Sequence, residues 1–414
     1  MSGRKRTTST SSGGAMDTSS LAPTGSKSSS KPRAGASAAA TTQASMSPAH
    51  LGSVEDRRDA GKRAMQEIRS RVVLEADRVE NAASIDFPAN FPEEAAELAW
   101  DFGKFAAGFR IERIETDPDD PMAVTFDMVG VDAAIANAFR RILIAEVPTM
   151  AIETVFFTNN TSIIHDEALA HRLGLVPIRA DPRYFETRDT PDTQATDRNT
   201  LVFTLDVKCT KNPHASPNAT DDTEKYINSR VLSSDIVWVP KGDQEAQFQD
   251  APIAPVHDDI LIAKLRPGQA VACEMHCIKS IGRDHAKFSP VGTASYRLLP
   301  EIILTRPVTG DDAYLLQKCF SPGTIGVRNE NGVPTAYVID ARRDTCSREI
   351  FRHERLASAV KMRRVRDHFL FSIESTGALP PGDLLFESVL KLKSKCELIL
   401  AHLNNATSSV DTTA

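Results

Sequence analysis

The chain has 414 residues, a formal net charge of -6 and six scattered cysteines. That length supports two or three ordinary domains, and the mild acidity argues against a surface built throughout to neutralise phosphates. No run of 18 apolar residues marks a membrane span, and so few cysteines in so long a chain point to a reducing compartment and not to a disulfide framework.

Residues 1 to about 50 are Ser, Thr, Ala and Gly with hardly an aromatic, too little apolar surface to offset the entropy of ordering, and disorder is expected. Arg4, Lys5, Arg6, Lys27, Lys31 and Arg33 stand there against a lone Asp17. They suit a nuclear-import or polyanion-binding patch; a solvated extension without function and an organellar transit peptide are the other readings. The next stretch, "LGSVEDRRDAGKRAMQEIRSRVVLEADRVENA", is charged and compatible with helix but has no wide apolar stripe. It is expected on the surface, as part of a tail spanning residues 1–84, with the compact part starting near Ile85.

From Phe109 the pattern turns to strands. "FRIERIE" and "MAVTFDMVG", joined through "TDPDDP", predict a β-hairpin with Val124, Phe126 and Met128 on one face. A helix follows, with Asp132 as N-cap and Pro148 beyond its end, and Ile135, Phe139, Ile142 and Leu143 form one apolar stripe. A second helix is signalled by "HDEALAHRLGLVP", with Asp166 placed to cap its start and Gly174 to take a left-handed turn at its end.

Between residues 180 and 288 short strands alternate with loops rich in Pro, Gly and Asp. Within "VACEMHC", Val271, Cys273, Met275 and Cys277 fall on one side of a strand. Four positions separate the two thiols by roughly 13 Å, too far for one zinc ion, so core packing is the expectation.

Towards the C-terminus, "RVRDHFLFSIESTG" predicts a strand with Phe369, Phe371 and Ile373 buried and His368, Leu370, Ser372 and Glu374 on the other face. Pro380 and Pro381 then open a helix whose Leu385, Val389, Leu392, Cys396, Ile399 and Leu403 are spaced 4, 3, 4, 3 and 4 apart. Such a seam belongs to helices packed at a shallow angle. The same helix is apolar on a second side at Leu384, Phe386 and Leu390, a surplus that its own sheet or a partner subunit must cover.

"NAFRRILIAEVPTMAIETV", "HRLGLVPIRAD", "DDILIAKLRPGQ", "DHAKFSPVGTASYRLLP" and "RVRDHFLFSIESTG" together resemble the α-like subunits of cellular RNA polymerases, the family that includes bacterial α and archaeal D. The likeness runs from about Phe109 to Leu403 and is greatest to the larger α-like subunit shared by eukaryotic polymerases I and III.

The resemblance implies an α+β fold and a non-catalytic assembly scaffold. A discontinuous dimerisation domain would comprise residues 85–153, 289–310 and 362–408, with a mostly β domain inserted at 154–288 and a ferredoxin-like segment at 311–361. Ile135, Phe139, Ile142, Leu143, Leu385, Val389, Leu392, Cys396, Ile399 and Leu403 would form the interface with a smaller α-like subunit. Arg140 and Arg141, whose planar forks suit bidentate contacts, would dock the pair onto the second-largest subunit. Small assembly subunits would complete the set of partners; DNA would be met only through the complex, in nucleus and nucleolus.

Some relatives hold zinc or an iron–sulfur cluster. Residues 311–361 keep only Cys319 and Cys346 where a cluster wants about four thiolates, so neither metal nor cofactor is expected. The competing readings are a polymerase II-type subunit, a metal or redox enzyme, and a freely acting DNA-binding protein. The enzyme reading lacks a phosphate-binding glycine loop, a G-x-S-x-G elbow or a carboxylate cluster to support it.

Overall fold

The computed structural model describes residues 66–68, 70–82, 101–188, 193–216 and 220–411. The expected disorder of the first 50 residues lies outside them.

One long strand, β12 (Val360–Ser375), is the spine of an antiparallel sheet. Strand β9 (Val291–Leu304) runs along one edge of it. On the other edge, β1 (Arg71–Leu74) pairs with residues 362–365 and β4 (Ala123–Val129) with residues 368–374. Outside these lie β2 (Val79–Glu80) and β3 (Arg110–Thr116). The register of β9 slips between Leu298 and Leu299, which face Phe369 and Val365. This bulge bends the spine, as extra residues in a ladder do.

Strand β1 corrects the expectation of a surface segment. Val72 and Leu74 alternate into the sheet's core at 9% and 6% exposure, so the ordered sheet begins before Ile85. A strand of four residues set in a charged, helix-compatible run carries too short a period to register beside its neighbours.

The β3–β4 hairpin forms as expected, with Val124, Phe126 and Met128 buried. Gly130 follows at φ +78°, and a Cβ there would stand 2.2 Å from the carbonyl oxygen of Gly108, at the end of helix α1 (Phe102–Gly108). The chain then enters α2 (Ala133–Ala145), whose first turn is capped by Asp132 Oδ1 accepting from the Ala134 amide at 2.7 Å.

A second body is built on β5 (Pro148–Asn160), β6 (Leu201–Lys208), β7 (Val237–Val239) and β8 (Ala270–Ile281), in the order β7-β6-β8-β5. On β8, Val271, Cys273, Met275 and Cys277 face the core, as their alternation predicts. Burial pushes the Cys273 thiol up to about 11 and that of Cys277 further still, so both stay protonated hydrophobes. Met150 and Ile152 join the same core although they precede residue 154.

Helix α3 (Asp166–Gly174) packs on this sheet with its ends arranged differently from expectation. His165 occupies the cap position without a side-chain bond, while Asp166 accepts from Asn160 Nδ2 at 2.6 Å. Gly174 remains helical, and a Cβ there would lie 3.3 Å from the Ile152 carbonyl, so close packing and not a left-handed turn accounts for the missing side chain.

Residues 311–361 form helix α4 (Asp311–Lys318), hairpin β10 (Ile325–Glu330) and β11 (Val333–Val338), and short turns. They pack over Leu74, Ile302 and Met362 at one end of the large sheet. Cys319 is buried there and Cys346 half-buried.

Candidate subunit interface

Helix α5 (Pro381–Asp411) starts at Pro381, where a fixed φ costs nothing. It packs with α2 on one face of the large sheet. Ala136, Phe139, Ile142 and Leu143 of α2 meet Phe126, Met128, Phe369 and Phe371, and α5 contributes Leu384, which is wholly buried.

The ten apolar residues predicted to meet a partner therefore separate into three groups. Phe139, Ile142 and Leu143 are 8%, 2% and 0% exposed, so the chain's own sheet covers them. Ile135, Leu385 and Leu392 are partly buried at the edge of the same core. Val389, Ile399 and Leu403 stand 44%, 59% and 57% exposed, and Cys396 is exposed too.

At 3.6 residues per turn, Val389, Cys396, Ile399, Leu400 and Leu403 fall within an arc of about 100°. The stripe continues from Leu385 and Leu392, so one seam begins in the core and runs outward along α5. Along the roughly 24 Å from Val389 to Asn405 every described residue except Leu392 is exposed. Phe386, Leu390 and Leu398, at 59%, 41% and 59% exposure, widen the apolar surface. So many large apolar side chains on one projecting element call for a cover.

The two arginines of α2 diverge. Arg140 is half-buried and its Nε donates to Asn137 Oδ1 at 3.1 Å, while Arg141 is exposed on the side away from the sheet. Among the described residues neither forms an ion pair. Glu146, the nearest carboxylate in sequence, is taken by Lys395 of α5 at 2.7 Å. Sequence reasoning missed this pair, which lies 249 positions apart and carries no periodic signal. Among the described residues no three His, Cys, Asp or Glu side chains gather as metal ligands, and no helix is long and apolar enough to cross a membrane.

A discontinuous α+β body whose last helix leaves the core with its apolar seam uncovered defines a class: a scaffold that pairs with a second protein. The chain belongs to the RNA polymerase Rpb3/Rpb11 dimerisation-domain family, whose model matches residues 125–396. It is 53% identical over 345 residues to the mouse protein named DNA-directed RNA polymerases I and III subunit RPAC1, a match covering 83% of this chain and 98% of that protein. The Saccharomyces cerevisiae protein of the same name is 48% identical over 331 residues, 79% of this chain and 97% of its own. The Dictyostelium discoideum polymerase II subunit rpb3 is more distant, at 30% over 289 residues, 66% of this chain and 88% of that one.

Proposed function

We propose that this chain is the non-catalytic assembly subunit shared by nuclear RNA polymerases I and III, supporting synthesis of ribosomal RNA precursors, 5S rRNA and tRNA. It pairs with a smaller α-like subunit through α5 and the flank of α2. The observation that carries this reading is the exposed seam of Val389, Cys396, Ile399 and Leu403 running on from a core-packed helix. The relatives named for polymerases I and III, at 48–53% identity against 30% for the polymerase II subunit, favour the shared subunit over a polymerase II type.

Arg140 and Arg141 dock the pair onto the second-largest subunits, with small assembly subunits beside them. Both arginines lie off the sheet-facing side of α2 and lack a carboxylate among the described residues, which leaves their forks open to a partner. DNA is met only through the complex, in nucleus and nucleolus. Three packed clusters support a division into a dimerisation domain, an inserted β domain and the 311–361 segment. No metal or cofactor enters this function.

The test is affinity purification of the tagged full-length chain with identification of the largest subunits that come with it. The largest subunits of polymerases I and III are the expected result. Recovery of the polymerase II largest subunit, or of no polymerase, overturns the proposal.

A further inference from the structure

Asp127 lies on β4, on the face of the large sheet turned away from the helices, yet it is only 1% exposed. Its carboxylate accepts two bonds from Arg342, at 2.6 and 2.7 Å, and lies 2.8 Å from His368 Nε2. A fork on a carboxylate is among the strong hydrogen-bonded pairings of side chains, because both bonds are charge-assisted and the geometry is fixed. Burial works against the ionised Asp127, and the hydrogen bonds from Arg342 and His368 outweigh it, holding the carboxyl below its usual range.

Arg342 belongs to residues 340–348, which cross the outer face of the sheet between two apolar anchors. Val338 precedes them and Ile350 follows, and both pack in the cluster over the sheet's far end, where Ala341 and Cys346 of the segment also pack; Thr345 bonds Ser321, and Ser347 Oγ donates to the Cys319 carbonyl at 3.3 Å. Arg297 of β9 holds the crossing segment from the other side, donating to the Asp344 carbonyl at 2.9 Å and also to that of Arg342. Across the strands Arg297 stands beside Leu370, and Leu370 beside Asp127, so the segment spans one row of the sheet. Leu370 beneath it is only 9% exposed.

The closed arrangement carries costs of its own. Cys346 and Arg348 are held at φ +62° and +59°, left-handed conformations that side chains with a Cβ adopt only under constraint. Asp344 is 3% exposed, and among the described residues its Oδ1 has no hydrogen-bond partner. Such a segment stays down only while something outside it holds it.

We propose that residues 340–348 are a strap with a closed and an open state, and that Asp127, by gripping Arg342, is the clasp that keeps it closed. The open state uncovers Leu370 and frees the guanidinium groups of Arg297 and Arg342, while the anchors at Val338 and Ile350 stay packed. Asp127 is thus a positioning residue for the strap and not a general prop of the core.

The test is hydrogen exchange read by mass spectrometry on the full-length chain in its purified complex. Asp127→Asn should raise exchange over residues 340–348 by roughly tenfold or more and leave α2 and the β10–β11 hairpin unchanged. Unchanged exchange in the strap overturns the proposal, as does an equal rise throughout the chain. Should D127N fail to fold, Arg342→Lys keeps the charge while losing the fork. Its selective acceleration of the same residues supports the clasp, and exchange at the native rate overturns it.

Discussion

Lys395 of α5 holds Glu146 at the end of α2, its Nζ 2.7 and 3.0 Å from the two carboxylate oxygens. The bond ties the outgoing helix to the inner one at the level where the apolar seam leaves the core. With side chains 47% and 24% exposed, the pair contributes at most about 1 kcal/mol to the fold. Lys395→Ala is therefore expected to shift denaturant unfolding by no more than that, and a larger loss would mean that the pair is shielded from solvent.

The covered and the exposed seam residues answer differently to mutation. Ile399→Asp, at an exposed position, should change the stability of the unpartnered chain by less than about 0.5 kcal/mol while abolishing co-purification of the smaller α-like subunit. Leu143→Ala, at a position without exposure, should cost about 2–5 kcal/mol and lose the partner only through loss of fold. Normal pairing by the Ile399 variant in a pull-down would place the interface elsewhere.

Replacing Arg140 and Arg141 together by Ala should spare pairing and weaken incorporation of the pair into the polymerase. Neither forms an ion pair among the described residues, so thermal unfolding of the pair should stay near the native value. Dissociation of the pair itself would show that the arginines serve the first interface and not the second.

Gly377 turns the chain from β12 towards α5 at φ +94°, where a Cβ would meet Val256 Cγ1 of the inserted domain at 2.4 Å. Arg183 Nη2 holds Asp383 at 3.1 Å at the same junction. Gly377→Ala should destabilise by about 1–3 kcal/mol through backbone strain, with the clash added. Adding Val256→Ala should recover the clash and leave the strain, which stability of the single and double variants resolves.

Asp127 and Asp344 predict opposite responses to pH. The folded-state pKa of Asp127 is lowered, so its contribution is present above the unfolded value and is lost as pH falls through the folded one. The stability gap between the native chain and D127N should close in acid. Burial raises Asp344, so its ionised form weighs against the fold at neutral pH, and that penalty is relieved as pH falls. Unfolding curves of D127N and D344N across acid pH check both signs.

Strand β12, the core strand β8 and helix α2 were legible because each writes its burial in contiguous residues with a period of 2 or 3.6. Strand β1 escaped because Val72 and Leu74 are only two beats inside a charged run. The end of α3 escaped for another reason: Gly174 answers to the carbonyl of Ile152 beside it, not to a left-handed turn. Leu370, assigned to the solvent side of its strand, is only 9% exposed and stands between Arg297 and Asp127, which both bond a segment nearly thirty positions earlier in the chain.

The candidate interface divides along the same line. Hydrophobic periodicity was enough to establish that α2 and α5 each need one side covered, since that demand follows from the residues of the helix alone. Which cover each stripe receives depended on tertiary packing: the sheet takes Phe139, Ile142 and Leu143, and α5 outruns it with Ile399 and Leu403 in solvent. The Asp127–Arg342 clasp, 215 positions apart, belongs wholly to that second kind of knowledge. An amphipathic pattern reports a free energy of transfer out of water; the neighbour that supplies the dry surface is chosen by the fold.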